Sequence, residues 1–402
     1  MKIIKNIRLY AIRRSLLKKG YSPSRIFHYG KALYEDRYEK NDSYSKADVR
    51  WARKRGFRGC SIENIGLTKE NYKDYLCDDD FEFMHPEDPD TCKWIDDKLT
   101  LKYTMAAFPQ YMPEYYCIFN KDKRMHLLMD SPMIDYSDEK DYILNLVKEK
   151  AVLALKPNRG TGGFGFMKLE YKDNRLYVND DAITNTEFDE MIDKLKNGQY
   201  LVTEFIIQHS DFDKIWPYSS ATIRLCVMNT NQGPFVYASY NRFGTLTSKG
   251  VCNTSSGGVA APFDYSTGKY HGKFYRKINY SGNKEQCILY QHPDTGMSVE
   301  NQVIPCIEDI HKMVNDVCNY FSLHTFFGFD VIVSNEGVKI CEINSHPELY
   351  LEQKMFGGIW KADPVVQEFV REHLERRKEE VNNRRRNRLH VFSKVCLKRN
   401  QL

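Results

Sequence analysis

The segment Lys156-Pro157-Asn158-Arg159-Gly160-Thr161-Gly162-Gly163-Phe164-Gly165 places four glycines within six residues, just behind a lysine. Glycine lets a backbone approach a ligand closely, and consecutive N–H groups can then meet phosphate oxygens. Lys156 closes the apolar run AVLALK and would reach the same phosphates. No Gly-Lys-Ser/Thr follows and no helix pattern opens after the loop, so it is neither a P-loop nor a dinucleotide fingerprint. By itself the segment reads equally as a plain hairpin turn.

A second group has a geometry that can be worked out. In FGFDVIVSNEGVKICEINSHPEL, Asn335-Glu336-Gly337 separates two apolar runs and signals a hairpin. A three-residue loop ending in Gly pairs Ser334 with Val338, so paired positions sum to 672 and Asp330 faces Glu342. Directly opposed Cβ atoms are about 4.5–5.5 Å apart, and like charges there cost up to about 1 kcal/mol unless a cation lies between them. Asn344, two residues beyond Glu342, points to the same face. Two carboxylates and one amide oxygen suit Mg²⁺, which usually takes its remaining ligands from phosphate and water. A solvated sheet face is the alternative, but the apolar neighbours Val331, Ile332, Val333, Ile340 and Ile343 favour the metal.

Cations complete the set. Arg224 lies in the apolar strand ATIRLCVM and Arg242 in YNRFG, where a charge needs a partner. Each reads as a ligand for phosphate or carboxylate, or equally as half of an internal ion pair. Lys98 opens a predicted helix after Asp96-Asp97.

The elements that must position these residues alternate in type. Residues 1–90 read as mostly helical. A helix over 98–107, a strand at 115–119 and a helix over 138–149 precede strands near 151–156, 165–169 and 175–179. A helix near 186–197 and a strand at 200–207 complete a small βββαβ lobe. Strands at 222–229, 234–243 and 258–263, a helix over 300–320, the hairpin at 327–344 and a charged helix near 364–380 follow. This is an α+β chain, divided into a helical region (1–90), a pre-lid segment (91–150), a lid lobe (151–210), a catalytic lobe (211–362) and a C-terminal helix with a basic tail (363–402).

With 402 residues, 27 Tyr and 22 Phe, the chain can bury a sizeable core without disulfides. Its 11 cysteines include no C-x-x-C pair, which suits reduced thiols in the cytoplasm and argues against a zinc site. No apolar run approaches the roughly 18 residues of a membrane span. The +5 formal charge is unevenly spread, with seven Lys or Arg and no acid in residues 1–20. Residues 371–402 carry 11 basic and four acidic residues, so +5 less two sevens leaves −9 on the remaining 350. Basic ends fit either peripheral contact with an anionic membrane face or a pair of solvated helices. No specific nucleic-acid motif is present, and the first segment, MKIIKNIRLYAIRRSLLKKG, lacks the clean apolar stretch of a secretory signal.

Taken in order, Asp97-Lys98, KPNRGTGGFGF, LVTEFIIQ, ATIRL, NRFG, NTSSGG and GFDV…EIN resemble the ATP-grasp family over roughly residues 94–350. Their spacing is most similar to the bacterial branch associated with sugar transfer and cell-surface polysaccharide assembly. The resemblance implies two α+β lobes gripping ATP, with 151–210 as the lid. It implies that Lys98, Lys156, Gly160, Gly162 and Gly163 meet the phosphates. Glu204, Phe205, Ile206 and Gln208 would form the adenine hinge, and Asp330, Glu342 and Asn344 would ligate two Mg²⁺. Arg224 and Arg242 would face the transferred phosphoryl group and the substrate carboxylate, and Asn253, Gly257 and Gly258 would bind the acyl phosphate. The activity implied is ATP-dependent ligation of a small-molecule carboxylate to an amine. A kinase acting on a hydroxyl and a non-catalytic nucleotide-binding module are the rivals. The stretch HSDFDKIWPYSS is longer than the family pattern, which leaves the ribose contact open.

Overall fold

The computed structural model describes residues 2–38, 44–85, 91–160, 163–249, 251–277 and 287–399, with side chains from 3 to 384. The chain forms two compact units that do not follow its linear order. Unit 1 comprises 1–88, 228–237 and 346–402, and unit 2 comprises 89–227 and 238–345.

Unit 1 is helical. Helix α1 (Lys2–Lys19) and helix α2 (Pro23–Tyr38) pack along one another, with Leu16, Tyr21 and Tyr29 buried between them and Ile12, Ile26 and Leu33 against them. The last helix, Pro364–Arg399, outruns the predicted 364–380 and buries Val366, Phe369, Val370 and Leu374. Residues distant in sequence are stapled by polar contacts. Leu76 N donates to Gln353 Oε1 at 2.8 Å, and Asp78 accepts from Arg58 Nε at 2.9 Å, from Ser61 Oγ at 2.8 Å and from the Tyr350 hydroxyl.

Unit 2 carries the first of two seven-stranded sheets. Its strands are β1 (Tyr115–Phe119), β2 (Met125–Leu127), β3 (Val152–Pro157), β4 (Met167–Lys172), β5 (Arg175–Val178), β6 (Asp181–Ile183) and β7 (Tyr200–Glu204), in spatial order β2-β1-β7-β3-β4-β5-β6. The βββαβ lobe predicted from 151 onward is present, with β6 as an additional short strand. Its sheet does not stop there, because β7 returns between β3 and β1 and so joins residues 115–127 to the same layer. Helices Glu139–Lys150 and Asn185–Asn197 cover it and bury Ile143, Leu146, Val147, Phe188, Ile192 and Leu195 against Leu153, Leu155, Leu169 and Val202. Both helices begin as their sequences dictate: Asp138 accepts from Asp141 N, and Thr184 with Glu187 forms a capping box.

The second sheet contains β8 (Thr222–Thr230), β9 (Gly233–Phe243), β10 (Val259–Pro262), β11 (Phe274–Tyr275), β12 (Ile288–Leu289), β13 (Phe326–Ser334) and β14 (Gly337–Asn344), ordered β12-β11-β10-β9-β8-β13-β14. Every residue of β13 is buried. Helix Ile307–Tyr320 lies against β14 and starts later than the predicted 300, because Cys306 sits in the left-handed region at φ 55° and stops N-terminal extension.

The β13–β14 hairpin departs from expectation in its turn. Gly337 begins the return strand opposite Ser334, leaving a two-residue loop, and Val331 pairs with Ile340. Cys341 is then an extra residue, a β-bulge, beyond which Asp330 does pair with Glu342 and Gly328 with Asn344. The predicted opposition of the two carboxylates is therefore present, but the bulge creates it.

Candidate active site

Helix Lys98–Thr104 is anchored at its start by Asp97, which accepts from Thr100 N at 3.0 Å, Asn158 Nδ2 at 3.1 Å and Arg159 Nε at 2.9 Å. Burial alone would raise the Asp97 carboxyl, but the bonds from Arg159, Thr100 and Asn158 outweigh it and hold the group below its usual range. Asn158 returns a bond, accepting from Leu99 N at 3.0 Å. The glycine segment is thus bolted to this helix by its two leading polar residues, roles that spacing alone did not reveal. Lys98, buried, extends from this junction to Gly160 O at 3.3 Å and Glu342 Oε2 at 3.0 Å. Gly163 adopts φ +75°, and a Cβ there would meet Val251 Cγ1 at 3.0 Å. Gly162 lies outside the described residues.

Lys156 emerges from the end of β3, paired with Leu201 of β7. Its ammonium lies 5.2 Å from the centre of the Tyr115 ring. Desolvation lowers it to about 8, reinforced by the charge of Lys98 and opposed by Glu342. Tyr115 is fully buried, its hydroxyl makes no hydrogen bond among the described residues, and Lys102 approaches its ring as well, at 5.5 Å. Nothing in the pattern YYCIF separates this tyrosine from an ordinary core aromatic.

On β14, Asn344 Nδ2 donates to Glu342 Oε1 at 3.0 Å, so the two side chains share a face as predicted. Asp330 opposite is buried and held by both arginines: Arg224 Nε at 2.6 Å, Arg224 Nη2 at 3.2 Å and Arg242 Nη2 at 3.0 Å. Burial would raise the Asp330 carboxyl, yet Arg224 and Arg242 keep it below its ordinary value. Arg242 is anchored further by its Nε bond to Thr222 Oγ1 at 2.9 Å. The ion-pair reading of the two arginines is therefore met. Four cations (Lys98, Lys156, Arg224, Arg242) against two carboxylates (Asp330, Glu342) leave an excess of two positive charges.

The donor set suits a hard divalent ion: carboxylate oxygens from adjacent strands plus an amide on the same face. Among the described residues no three His, Cys, Asp or Glu side chains are grouped, so a cation here would draw further ligands from outside the chain.

Other expected site residues have local duties. Gln208 is buried with its amide fully engaged: Nε2 donates to Asp213 Oδ1 at 2.7 Å and Trp216 O at 2.8 Å, and Oε1 accepts from Ala221 N at 2.6 Å. These bonds tie down the long irregular stretch that follows β7. Glu204 Oε2 accepts from Glu114 N at 2.9 Å. Phe205 and Ile206 follow where the chain leaves β7, Ile206 O accepting from Ser220 Oγ at 2.8 Å and the Phe205 ring lying 6.5 Å from that of Phe166. Asn253 caps the short turn Thr254–Ser256 by accepting from Ser255 N at 3.0 Å. Gly257 follows at φ +105°, and a Cβ on Gly258 would lie 2.8 Å from Phe243 O. This segment is a tight turn into β10 rather than a wide loop.

Residues 84–358 match the sugar-transfer associated ATP-grasp family. That span exceeds half of the chain, and the protein belongs to this family. Solved structures that align with this chain include a D-alanine–D-alanine ligase from Bacillus anthracis, at 14% identity and TM-score 0.36, covering 71% of this chain and 69% of that one. D-cycloserine synthetase DcsG aligns at 10% identity and TM-score 0.38, covering 73% of each chain. A carboxyaminoimidazole ribonucleotide synthase from Aspergillus clavatus, complexed with ATP, aligns at 10% identity and TM-score 0.36, covering 64% of this chain and 46% of that one. The chain thus spans just under half the length of that synthase. No curated protein sequence matches.

Proposed function

We propose that this protein is an ATP-dependent carboxylate–amine ligase. The observation that carries the reading is the surplus of positive charge around an acidic pair, Asp330 and Glu342, set beside a glycine-rich turn. A triphosphate needs neutralisation and positioning more than a covalent catalyst. Lys98, placed between Gly160 O and Glu342, and Lys156 would hold its β- and γ-phosphates. The backbone at Gly160 and Gly163 would line the same path, and that of Glu204–Ile206 would meet the base.

Asp330, Glu342 and Asn344 would hold Mg²⁺, one ion or two, which would supply charge neutralisation of the phosphates. Arg224 and Arg242 would then turn from Asp330 toward the transferred phosphoryl group and the substrate carboxylate. A carboxylate oxygen attacks the γ-phosphorus and ADP leaves, giving an acyl phosphate, with Asn253, Gly257 and Gly258 beside it. An amine attacks the acyl carbon, the amide forms, and phosphate and a proton depart. The family's association with sugar transfer supports an acceptor from cell-surface polysaccharide or aminoacyl-sugar assembly. The use of ATP and the ten free cysteines among the described side chains support a cytoplasmic location.

The test is a matrix of carboxylates and amines scored for ADP release, with products weighed by mass spectrometry. Ligation requires ADP and phosphate in equal amounts, an amide product, and dependence on both substrates. A stable phosphorylated alcohol would replace the reading with hydroxyl phosphorylation. Glu342→Gln should abolish turnover, and unchanged turnover would remove the metal assignment.

A further inference from the structure

Helix α1 has two faces of opposite fate. Ile12 and Leu16 face α2 and are covered by Ile26, Tyr29 and Leu33. Ile3, Ile7, Tyr10 and Leu17 recur at intervals of four, three and seven, which places them within about 80° of one another around the helix. Their exposures are 74%, 62%, 66% and 61%. Because α1 is fixed along one side by its packing on α2, this stripe cannot be buried by rotating the helix.

The same helix carries seven Lys or Arg and no acid. Arg14 falls inside the stripe and Lys18 on its border, while Lys5, Arg8 and Arg13 lie over the Tyr34, Tyr38 and Phe27 rings on the α2 side. Long basic side chains beside aliphatic groups can keep their charges at a polar boundary while their stems and neighbours enter an apolar layer. No helix among the described residues is long and apolar enough to cross a membrane. At about 1.5 Å per residue, 18 residues give roughly 27 Å of helix that can lie flat on a surface.

We propose that the exposed face of α1 docks this protein on an anionic phospholipid bilayer, lying in the headgroup plane with Ile3, Ile7, Tyr10 and Leu17 inserted. Charge selects this occupant. A second copy would bring 14 cations together with no acid on either helix. A nucleic acid would meet the cations but leave the aliphatic stripe in water. An anionic bilayer satisfies both at once. The inference is independent of the ligase reading, since none of these residues belongs to the site described above.

Co-sedimentation of the full chain with phosphatidylcholine vesicles, with and without a third of phosphatidylglycerol, tests it. Binding should require phosphatidylglycerol and fall with salt. Arg14→Gln and Lys18→Gln should each weaken it about fivefold, the equivalent of about 1 kcal/mol per cation near the surface. Ile3→Glu, Ile7→Glu and Leu17→Glu together should remove binding while nucleotide binding and thermal unfolding stay unchanged, these positions being exposed. Tyr10→Trp provides a readout that needs no charge change, its emission shifting to the blue only on insertion. Equal binding to pure phosphatidylcholine, no binding to either vesicle, or no emission shift overturns the proposal. So does loss of a dimer in the triple variant, or retention on a polyanion that the triple variant leaves intact.

Discussion

Neutralising Asp330 should push two measurements in opposite directions. This carboxylate is buried and accepts at 2.6, 3.2 and 3.0 Å from two guanidinium groups. Asp330→Asn keeps the shape and removes the charge, leaving Arg224 and Arg242 close together and uncompensated. Removing one partner of a buried ion pair costs about 3–5 kcal/mol. Urea unfolding of the apo protein should show a loss of that size, part of it recovered in the double variant Asp330→Asn/Arg224→Gln. Anion binding should move the other way, because the site's surplus rises from two positive charges to three. One unit charge at about 10 Å with an effective dielectric near 20 is worth about 1.7 kcal/mol. Tripolyphosphate in the presence of a chelator should therefore bind more than tenfold tighter to the variant, while the gain on adding Mg²⁺ disappears. Calorimetric titration with and without Mg²⁺ reads both effects. A variant losing less than about 1 kcal/mol, or binding metal-free tripolyphosphate more weakly, refutes the charge balance argued for this site.

Lys156 titrates at about 8 because desolvation favours its neutral form. Its folded value lies below the unfolded one near 10.4, so the cost of burying the charge is present below 8 and is relieved as pH climbs to about 10.4. Phosphates restore the charge, so nucleotide binding at pH 8–9 should take up a proton. Binding enthalpies in buffers of different ionisation heat measure the uptake, and Lys156→Arg should abolish it. Tyr115→Phe deletes a buried hydroxyl that makes no hydrogen bond among the described residues, so apo stability should be unchanged or rise by up to about 1 kcal/mol. A rise in KM for ATP in the same variant would give that hydroxyl a ligand contact. Gly258→Ala would put a methyl 2.8 Å from Phe243 O, a backbone atom that cannot swing aside, and should lower stability by about 1–3 kcal/mol in thermal unfolding.

The hairpin shows how much of the site was legible in the sequence. Alternation of apolar residues around Asn335-Glu336-Gly337 is enough to oppose Asp330 to Glu342, but the loop is one residue shorter than that pattern predicts and the bulge at Cys341 restores the register. A bulge at a cysteine carries no signature in side-chain type, unlike the class that requires a glycine. Gln208 enters the expected adenine site only through the family resemblance, and its sequence context does not reveal that its amide bonds to Asp213, Trp216 and Ala221. Hydrogen bonds within an irregular stretch depend on how it folds back, which periodicity does not encode. The Asp97–Asn158–Arg159 junction was hidden for a similar reason: its members are about sixty residues apart. Strands β3, β4, β5 and β7 are readable as strands, but not the return of β7 beside β1, since antiparallel order is decided by packing between segments distant in the chain.

Unit 1 is stapled by groups on either side of unit 2 in the chain, Leu76 with Gln353 and Asp78 with Tyr350. On the ribosome, α1 and α2 can pack on one another early, but Leu76 and Asp78 emerge 277 and 272 residues before Gln353 and Tyr350 and must wait for them. Unit 2 can close in the meantime as a continuous nascent stretch apart from the 228–237 excursion. Refolding from denaturant, where all segments are released together, therefore need not follow the order taken during synthesis.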